Sequence, residues 1–330
     1  MTLITGIRCP DGVVLCANTQ ETAGYYRSSR DKVEQKLMGQ FAVVIAGSGL
    51  SELIDSFVER MVRRMATELS SSLIDFQHIF ETELELFKRD EVSTFSASEE
   101  DKYLGFLVAA VSSEGYEVWV TKDQRLIRID AYEVVGWEIP LYTHVLRKFF
   151  REQISVSQGV LAALYMLTVA ENTSNYVKGP FSVAIVRQNG IFIEDQAYIR
   201  EMADRLRAYD SYVNAILLSC ADTGMSMVRL ERELVTFAES VRDLHKAHVT
   251  EVVRTMLKAG LNTINDPYAR VPAGLTLAIA AGDLETLTPR EREAFLKKAG
   301  EIVQNIPKTE GQATPEPPTR DPKGQPPSQE

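Results

Sequence analysis

The residue with the most direct chemical potential is Thr2, the first after Met1. A small second residue permits removal of the initiator methionine, which would leave a threonine carrying a free α-amine. Such a residue joins a hydroxyl nucleophile and a base with a pKa of about 8 in one amino acid. By itself the signal is weak, since an ordinary strand starting Met-Thr has the same letters. The other chemistry-bearing groups have simpler readings. Gly47-Ser48-Gly49-Leu50-Ser51-Glu52 follows a strand and opens a helix as a dinucleotide loop does. Glu52, however, replaces the third glycine and would set a negative charge beside a pyrophosphate. His245 and His248, with Asp243 nearby, lack a third strong ligand and fit a solvated helix face better than a metal site. Ser70-Ser71-Ser72 fits a cap between helices, Cys16 a packing residue in an apolar strand, and Glu99-Glu100-Asp101 a solvated loop. No cofactor and no metal is expected.

The elements that must position Thr2 follow from periodicity. Residues Thr2–Cys9 alternate and are β-rich, Pro10-Asp11-Gly12 is a turn signal, and Val13–Ala17 is a second strand, which makes an N-terminal hairpin. Residues 18–31 are polar and turn-like. Lys32–Met38 is a short strand and Phe41–Ala46 a buried one. Apolar residues at i, i+3, i+4 and i+7 predict helices over 50–69 and 71–89. Strands are expected at Tyr103–Val111, Tyr116–Thr121 and Arg125–Asp130, then helices at Leu141–Gln153 and Ser157–Glu171. The second of these is apolar nearly all round, which suits an interior helix. Phe181–Arg187 and Ile191–Glu194 form a hairpin across Gln188-Asn189-Gly190. Antiparallel hairpins separated by helix pairs predict two stacked sheets with helices on both outer faces, an α+β fold rather than a doubly wound parallel sheet.

Beyond residue 196 the pattern turns helical to about 306. Leu230, Leu234, Phe237, Val241 and Leu244 form an apolar stripe, and Thr288-Pro289-Arg290-Glu291 reads as a helix start. Seven of the 13 prolines lie in the last 24 residues, which marks 307–330 as a disordered tail. The division is therefore 1–196, 197–306 and 307–330. At 45% hydrophobic and 25% charged the chain has a composition close to the globular average. A net charge of −10 disfavours nucleic-acid backbones. Three cysteines without a CxxC spacing argue against a disulfide framework. There is no membrane-length apolar run or sorting signal, so a cytoplasmic protein is expected.

Several short motifs then act together. Thr2-Leu3-Ile4-Thr5-Gly6-Ile7, Pro10-Asp11-Gly12-Val13-Val14-Leu15-Cys16-Ala17, Thr22-Ala23-Gly24, Lys32-Val33 and Ala46-Gly47 follow at near-family spacing. Over about residues 2–196 the sequence resembles bacterial-looking proteasome β-type subunits. The resemblance implies a four-layer αββα sandwich of N-terminal-nucleophile (Ntn) hydrolase type, here with a helical C-terminal extension. It also implies a threonine peptidase acting on peptides or proteins and a ring-like homo-oligomer, with any unfoldase or regulator unknown. On that resemblance Thr2 is the nucleophile and its own α-amine the proton relay. A strand lysine lowers the pKa of the site, Lys32 matching best with Lys36 as the other choice. The Gly47 N–H forms the oxyanion hole. Thr22, Ile45 and Gly49 fall in the substrate-binding set, Thr22 pairing with substrate main chain and Ile45 walling the specificity pocket.

The sequence departs from the pattern around this set. Asn18 stands where the family has an aspartate. Val134-Val135-Gly136-Trp137 lacks the later Gly-Ser-Gly serine, and Ser174 and Val177 replace a polar pair near the threonine amine. These departures define two alternatives: a catalytically inactive ring or scaffold subunit, and an Ntn amidohydrolase acting on a small molecule.

Overall fold

The computed structural model describes residues 2–23, 26–70, 72–96, 102–136, 138–150 and 153–262, without the side chains of 21–28 and 249–262. Glu99-Glu100-Asp101, the helix start at Thr288 and the 307–330 tail lie outside the described residues. The chain divides into two compact units, Met1–Met256 and Leu257–Glu330.

Two five-stranded antiparallel sheets form the centre of the first unit. One runs β10-β1-β2-β11-β12 and comprises β1 (Leu3–Cys9), β2 (Gly12–Asn18), β10 (Tyr132–Gly136), β11 (Phe181–Arg187) and β12 (Gly190–Ile193). The other runs β5-β6-β7-β8-β9, with β5 (Val33–Met38), β6 (Phe41–Gly49), β7 (Leu104–Ser112), β8 (Gly115–Lys122) and β9 (Arg125–Arg128). Helices α1 (Ser51–Met65) and α2 (Leu73–Phe87) cover the second sheet, and α3 (Ile139–Arg147) and α4 (Val156–Thr173) the first. This is the αββα sandwich expected above.

The layers account for the sequence patterns. Val13, Leu15 and Ala17 face the space between the sheets, while Val14 and Cys16 face α4. With both faces covered, β2 is a continuous apolar run instead of an alternating one. Cys16 is fully buried, which pushes its thiol pKa up and makes it a packing residue. The outer layer over the second sheet is aromatic. Phe57 of α1 meets Phe80, Phe87 and Phe106 with ring centroids 5.0–5.4 Å apart. Ser72 caps α2 by accepting from the Ile74 N–H, the inter-helix role expected of this serine run. Ser155 and Gln158 form a capping box at the start of α4.

Two local expectations are corrected and one strand is added. Residues 18–31 are not only turn: they contain a small hairpin, β3 (Gln20–Ala23) and β4 (Tyr26–Ser29). Its strands are too polar and too short to register as strands by alternation. Strand β10 was also unforeseen; it pairs with β1, so its partner lies more than 100 positions away. Lys32 lies just before β5, and Val33 is the first residue in the ladder.

The chain beyond β12 is helical, with α5 (Gln196–Ala221) and α6 (Met227–Asn262). Tyr198, Ile199, Met202, Ala203 and Leu206 of α5 join the core over the first sheet. In the apolar stripe of α6 the positions divide: Leu244 packs on that core, while Leu234 and Val241 are exposed. Among the described residues no helix is long and apolar enough to cross a membrane.

His248 is a further correction, because it is 8% exposed and not on a solvated face. Its Nδ1 lies 2.7 Å from the Tyr198 hydroxyl, and the two rings stack. Burial, aided by the nearby His245, lowers its pKa from 6.5 to about 4. The unfolded chain therefore takes up the proton first as pH falls. Stability from this group is complete above pH 6.5 and is lost as pH drops toward 4, by up to about 3 kcal/mol. Urea unfolding at pH 7 and pH 4.5 should show a smaller pH difference in His248→Phe than in wild type. An equal difference would remove His248 from the account.

Candidate active site

Thr2 sits at the head of β1 and is 9% exposed. Two neighbours fix it. The Leu3 N–H donates to Asn18 Oδ1 at 2.8 Å, deep in the protein, so the end of the β1–β2 ladder is closed by a side chain. On the other edge Leu3 pairs with Gly136 of β10. A Cβ built on Gly136 would stand 2.0 Å from the Thr2 carbonyl oxygen, and its φ of +125° is one that L side chains rarely adopt. Glycine is required there on both counts.

A cleft opens in front of Thr2, and five of the sequence-derived site residues line it: Thr2, Lys32, Ile45, Gly47 and Gly49. The ladder explains why. Val33 pairs with Ala46, so the residue before β5 arrives beside Gly47 on β6. The Lys32 ammonium donates to the Gln20 backbone carbonyl, at the start of β3. Of the two lysines only Lys32 lines the cleft; Lys36 ion-pairs with Glu34 at 2.9 Å and is not among the lining residues. A Cβ on Gly47 would stand 2.7 Å from Ile54 Cγ2, so this glycine also lets α1 approach β6. Gly49 has φ +142° and its Cβ would meet the Tyr103 carbonyl oxygen at 2.3 Å. Ile45 is 2% exposed and belongs mainly to the core. Thr22 is on β3 opposite Arg27, and its side chain lies outside the described residues.

Asn18 is fully buried behind the cleft and does not line it. Its amide oxygen performs a task that needs only an acceptor, and an asparagine supplies that without burying a charge. Its Nδ2 has no hydrogen-bond partner among the described residues. The distal pair has taken structural duties. Val177 is fully buried in the core beside α4, and Ser174 ends α4, with its hydroxyl accepting from the Tyr176 N–H at 3.2 Å.

Sequence reasoning missed the charged wall of the cleft. Arg30, Asp31 and Glu34 line it together with Ile54 of α1. Arg30 is bound to Asp55 of α1 and, at 3.2 Å, to Glu34; the bond to Asp55 is the main reason its pKa is raised, against the opposing effect of burial. The run Arg30-Asp31-Lys32 was a visible signal, but the contact with Asp55 spans 25 positions and has none.

The set can present a hydroxyl, a nearby cation and a glycine at which a peptide could approach. Residues 2–186 match the proteasome subunit family. No curated protein matches the chain. Solved structures similar to it include Anbu (ancestral beta-subunit) from Yersinia bercovieri, with a TM-score of 0.55 at 14% identity, covering 69% of this chain and 100% of that one. An Anbu mutant from Hyphomicrobium sp. strain MC1 has a TM-score of 0.54 at 12% identity, covering 65% and 96%. A structure described as the helical assembly of the Anbu complex from Pseudomonas aeruginosa has a TM-score of 0.53 at 14% identity, covering 65% and 95%. At these identities the likeness is one of fold. Since the family match spans more than half of the sequence, the chain belongs to the proteasome subunit family.

Proposed function

We propose that this chain is a threonine-type N-terminal-nucleophile peptidase. The observation that carries the proposal is the convergence of Thr2, Lys32 and Gly47 on one cleft. With Met1 removed, the Thr2 α-amine takes the Oγ1 proton, directly or through water, and Oγ1 attacks the peptide carbonyl carbon. The Gly47 N–H donates to the oxyanion. The C–N bond then breaks, the leaving amine takes the proton, and an acyl ester remains on Thr2. Water adds to that ester with the amine as base, releasing the carboxylic acid and restoring the hydroxyl. Lys32 favours the neutral amine through its positive charge.

The domain division is part of the proposal: 1–196 is the catalytic body, 197–306 a helical extension and 307–330 a tail. So is self-association, which is supported by family membership and by the assembly described for the Pseudomonas aeruginosa protein. A second reading, a non-catalytic assembly subunit, is favoured by the buried Val177 and by the neutral Asn18.

Intact mass and labelling with a β-lactone discriminate the two. The peptidase reading expects loss of Met1 and one covalent adduct on Thr2. Retained Met1 blocks the amine and sinks it in favour of the second reading. Lys32→Ala is expected to lower the labelling rate by roughly a hundredfold, while Lys36→Ala leaves it near wild type. The reverse outcome would reassign the lysine.

A further inference from the structure

The proposed chemistry gives the helical extension no task, yet its first helix is hydrogen-bonded through to the wall of the cleft. Arg207 of α5 donates from Nε and Nη2 to Oε2 of Glu171 on α4, at 2.9 and 2.6 Å. Its remaining nitrogen, Nη1, donates to Asp204 on its own helix. The second oxygen of Glu171, Oε1, accepts from the Gly179 backbone N–H at 3.1 Å. Lys178 Nζ donates to the Glu171 carbonyl. The next residue, Pro180, has a carbonyl that accepts twice from Thr19, from N at 3.0 Å and from Oγ1 at 2.8 Å. Thr19 in turn accepts the Arg30 N–H at 2.8 Å, and Arg30 begins the stretch that carries Lys32 into the cleft.

The stretch between α4 and β11 has no strand ladder of its own, so its backbone groups need other partners. Glu171 supplies one, and a single carboxylate shared between a guanidinium and a backbone amide has little rotational freedom left. The orientation of Glu171 sets the height of Gly179-Pro180, and Pro180 holds Thr19. Thr19 follows Asn18, whose amide oxygen receives the Leu3 N–H. Both the nucleophile strand and the Arg30–Lys32 wall thus converge on the residues that Pro180 secures.

We infer that Arg207 is a positioning residue for the active site, through which the extension holds the Arg30–Lys32 wall by way of Glu171, Gly179-Pro180 and Thr19. Its consequence for rate rests on the peptidase reading above; its structural content does not. A role as a mere clamp between α4 and α5 is separable from this, because a second polar link joins the same helices. The Tyr165 hydroxyl donates to Asp210 at 3.0 Å without touching Glu171.

The test uses the full chain and amide hydrogen exchange. Arg207→Met should raise exchange roughly tenfold or more at the Gly179, Thr19 and Arg30 amides, with Val14 in the sheet unchanged. Arg207→Lys should restore part of the protection. Glu171→Ala, which also removes the acceptor of the Gly179 N–H, should raise exchange at these amides at least as much as Arg207→Met, and the double variant should add nothing beyond Glu171→Ala. Tyr165→Phe should leave all three amides protected. If Arg207→Met fails to fold, Glu171→Gln keeps the volume and an acceptor for Gly179, and should raise exchange at the same amides by less. Equal exchange in Arg207→Met and Tyr165→Phe, or additive effects of Arg207→Met and Glu171→Ala, overturns the inference. In parallel, the rate of β-lactone labelling should fall about tenfold in Arg207→Met and recover in Arg207→Lys. Absence of labelling in wild type would count against the peptidase reading alone, since the exchange pattern is read independently of it.

Discussion

Thr2→Ala is expected to abolish covalent labelling and to lower peptide hydrolysis by roughly four orders of magnitude or more. Alanine keeps the α-amine, the strand and the hydrogen bond from the Leu3 N–H to Asn18 Oδ1, so the loss isolates the hydroxyl. Thr2→Ser keeps the oxygen and should retain covalent labelling. The folded state should be little affected, because a methyl and a hydroxyl at the head of β1 are a small part of the core. Thermal melting beside the labelling assay separates a chemical loss from a structural one. Labelling that persists in Thr2→Ala would move the nucleophile to another residue.

Gly136→Ala should have the largest structural effect at the site. The added methyl would stand 2.0 Å from the Thr2 carbonyl oxygen and 2.9 Å from its carbon. Neither is the end of a flexible side chain, so β1 or β10 must shift. Strain at φ +125° adds to the clash, for a total loss of roughly 2–5 kcal/mol. On the proposed chemistry, what remains folded should label poorly, because the displaced atoms belong to Thr2 itself. Gly190→Ala is the control. Its φ is +135°, but nothing lies within 4 Å of the added Cβ, so only backbone strain is incurred. Denaturant unfolding of the two variants should therefore differ by about 1–3 kcal/mol, the clash contribution. Equal losses would mean that the contact with Thr2 is relieved without consequence.

How far the site was legible depends on the length scale of each contact. Thr2, Lys32 and Gly47 were read from short motifs, and all three line one cleft because the β5–β6 register carries Lys32 beside Gly47. Asn18 was legible as a departure from the aspartate but not as a structural part. Its role depends on Leu3, 15 positions away on the neighbouring strand. His248 illustrates the opposite error. Its spacing with His245 and Asp243 looks like a solvated face, and only the packing of α6 against Tyr198 buries it. Gly136 carried no local sign of importance, since its constraint is a carbonyl on another strand.

The sequence by itself determined the order of the main strands and helices, without β3, β4 and β10, the sandwich they form and the hydroxyl placed at its first strand. Those follow from periodicity, turn chemistry and short motifs, which act over a few residues. The tertiary structure decided which lysine reaches the cleft, what Asn18 does, how the Arg30 wall is held and how Arg207 of the extension is joined to it. Each of these depends on hydrogen bonds and close contacts between residues 12 to more than 100 positions apart, most of them on different elements. Such bonds have directional and distance requirements that no local pattern encodes.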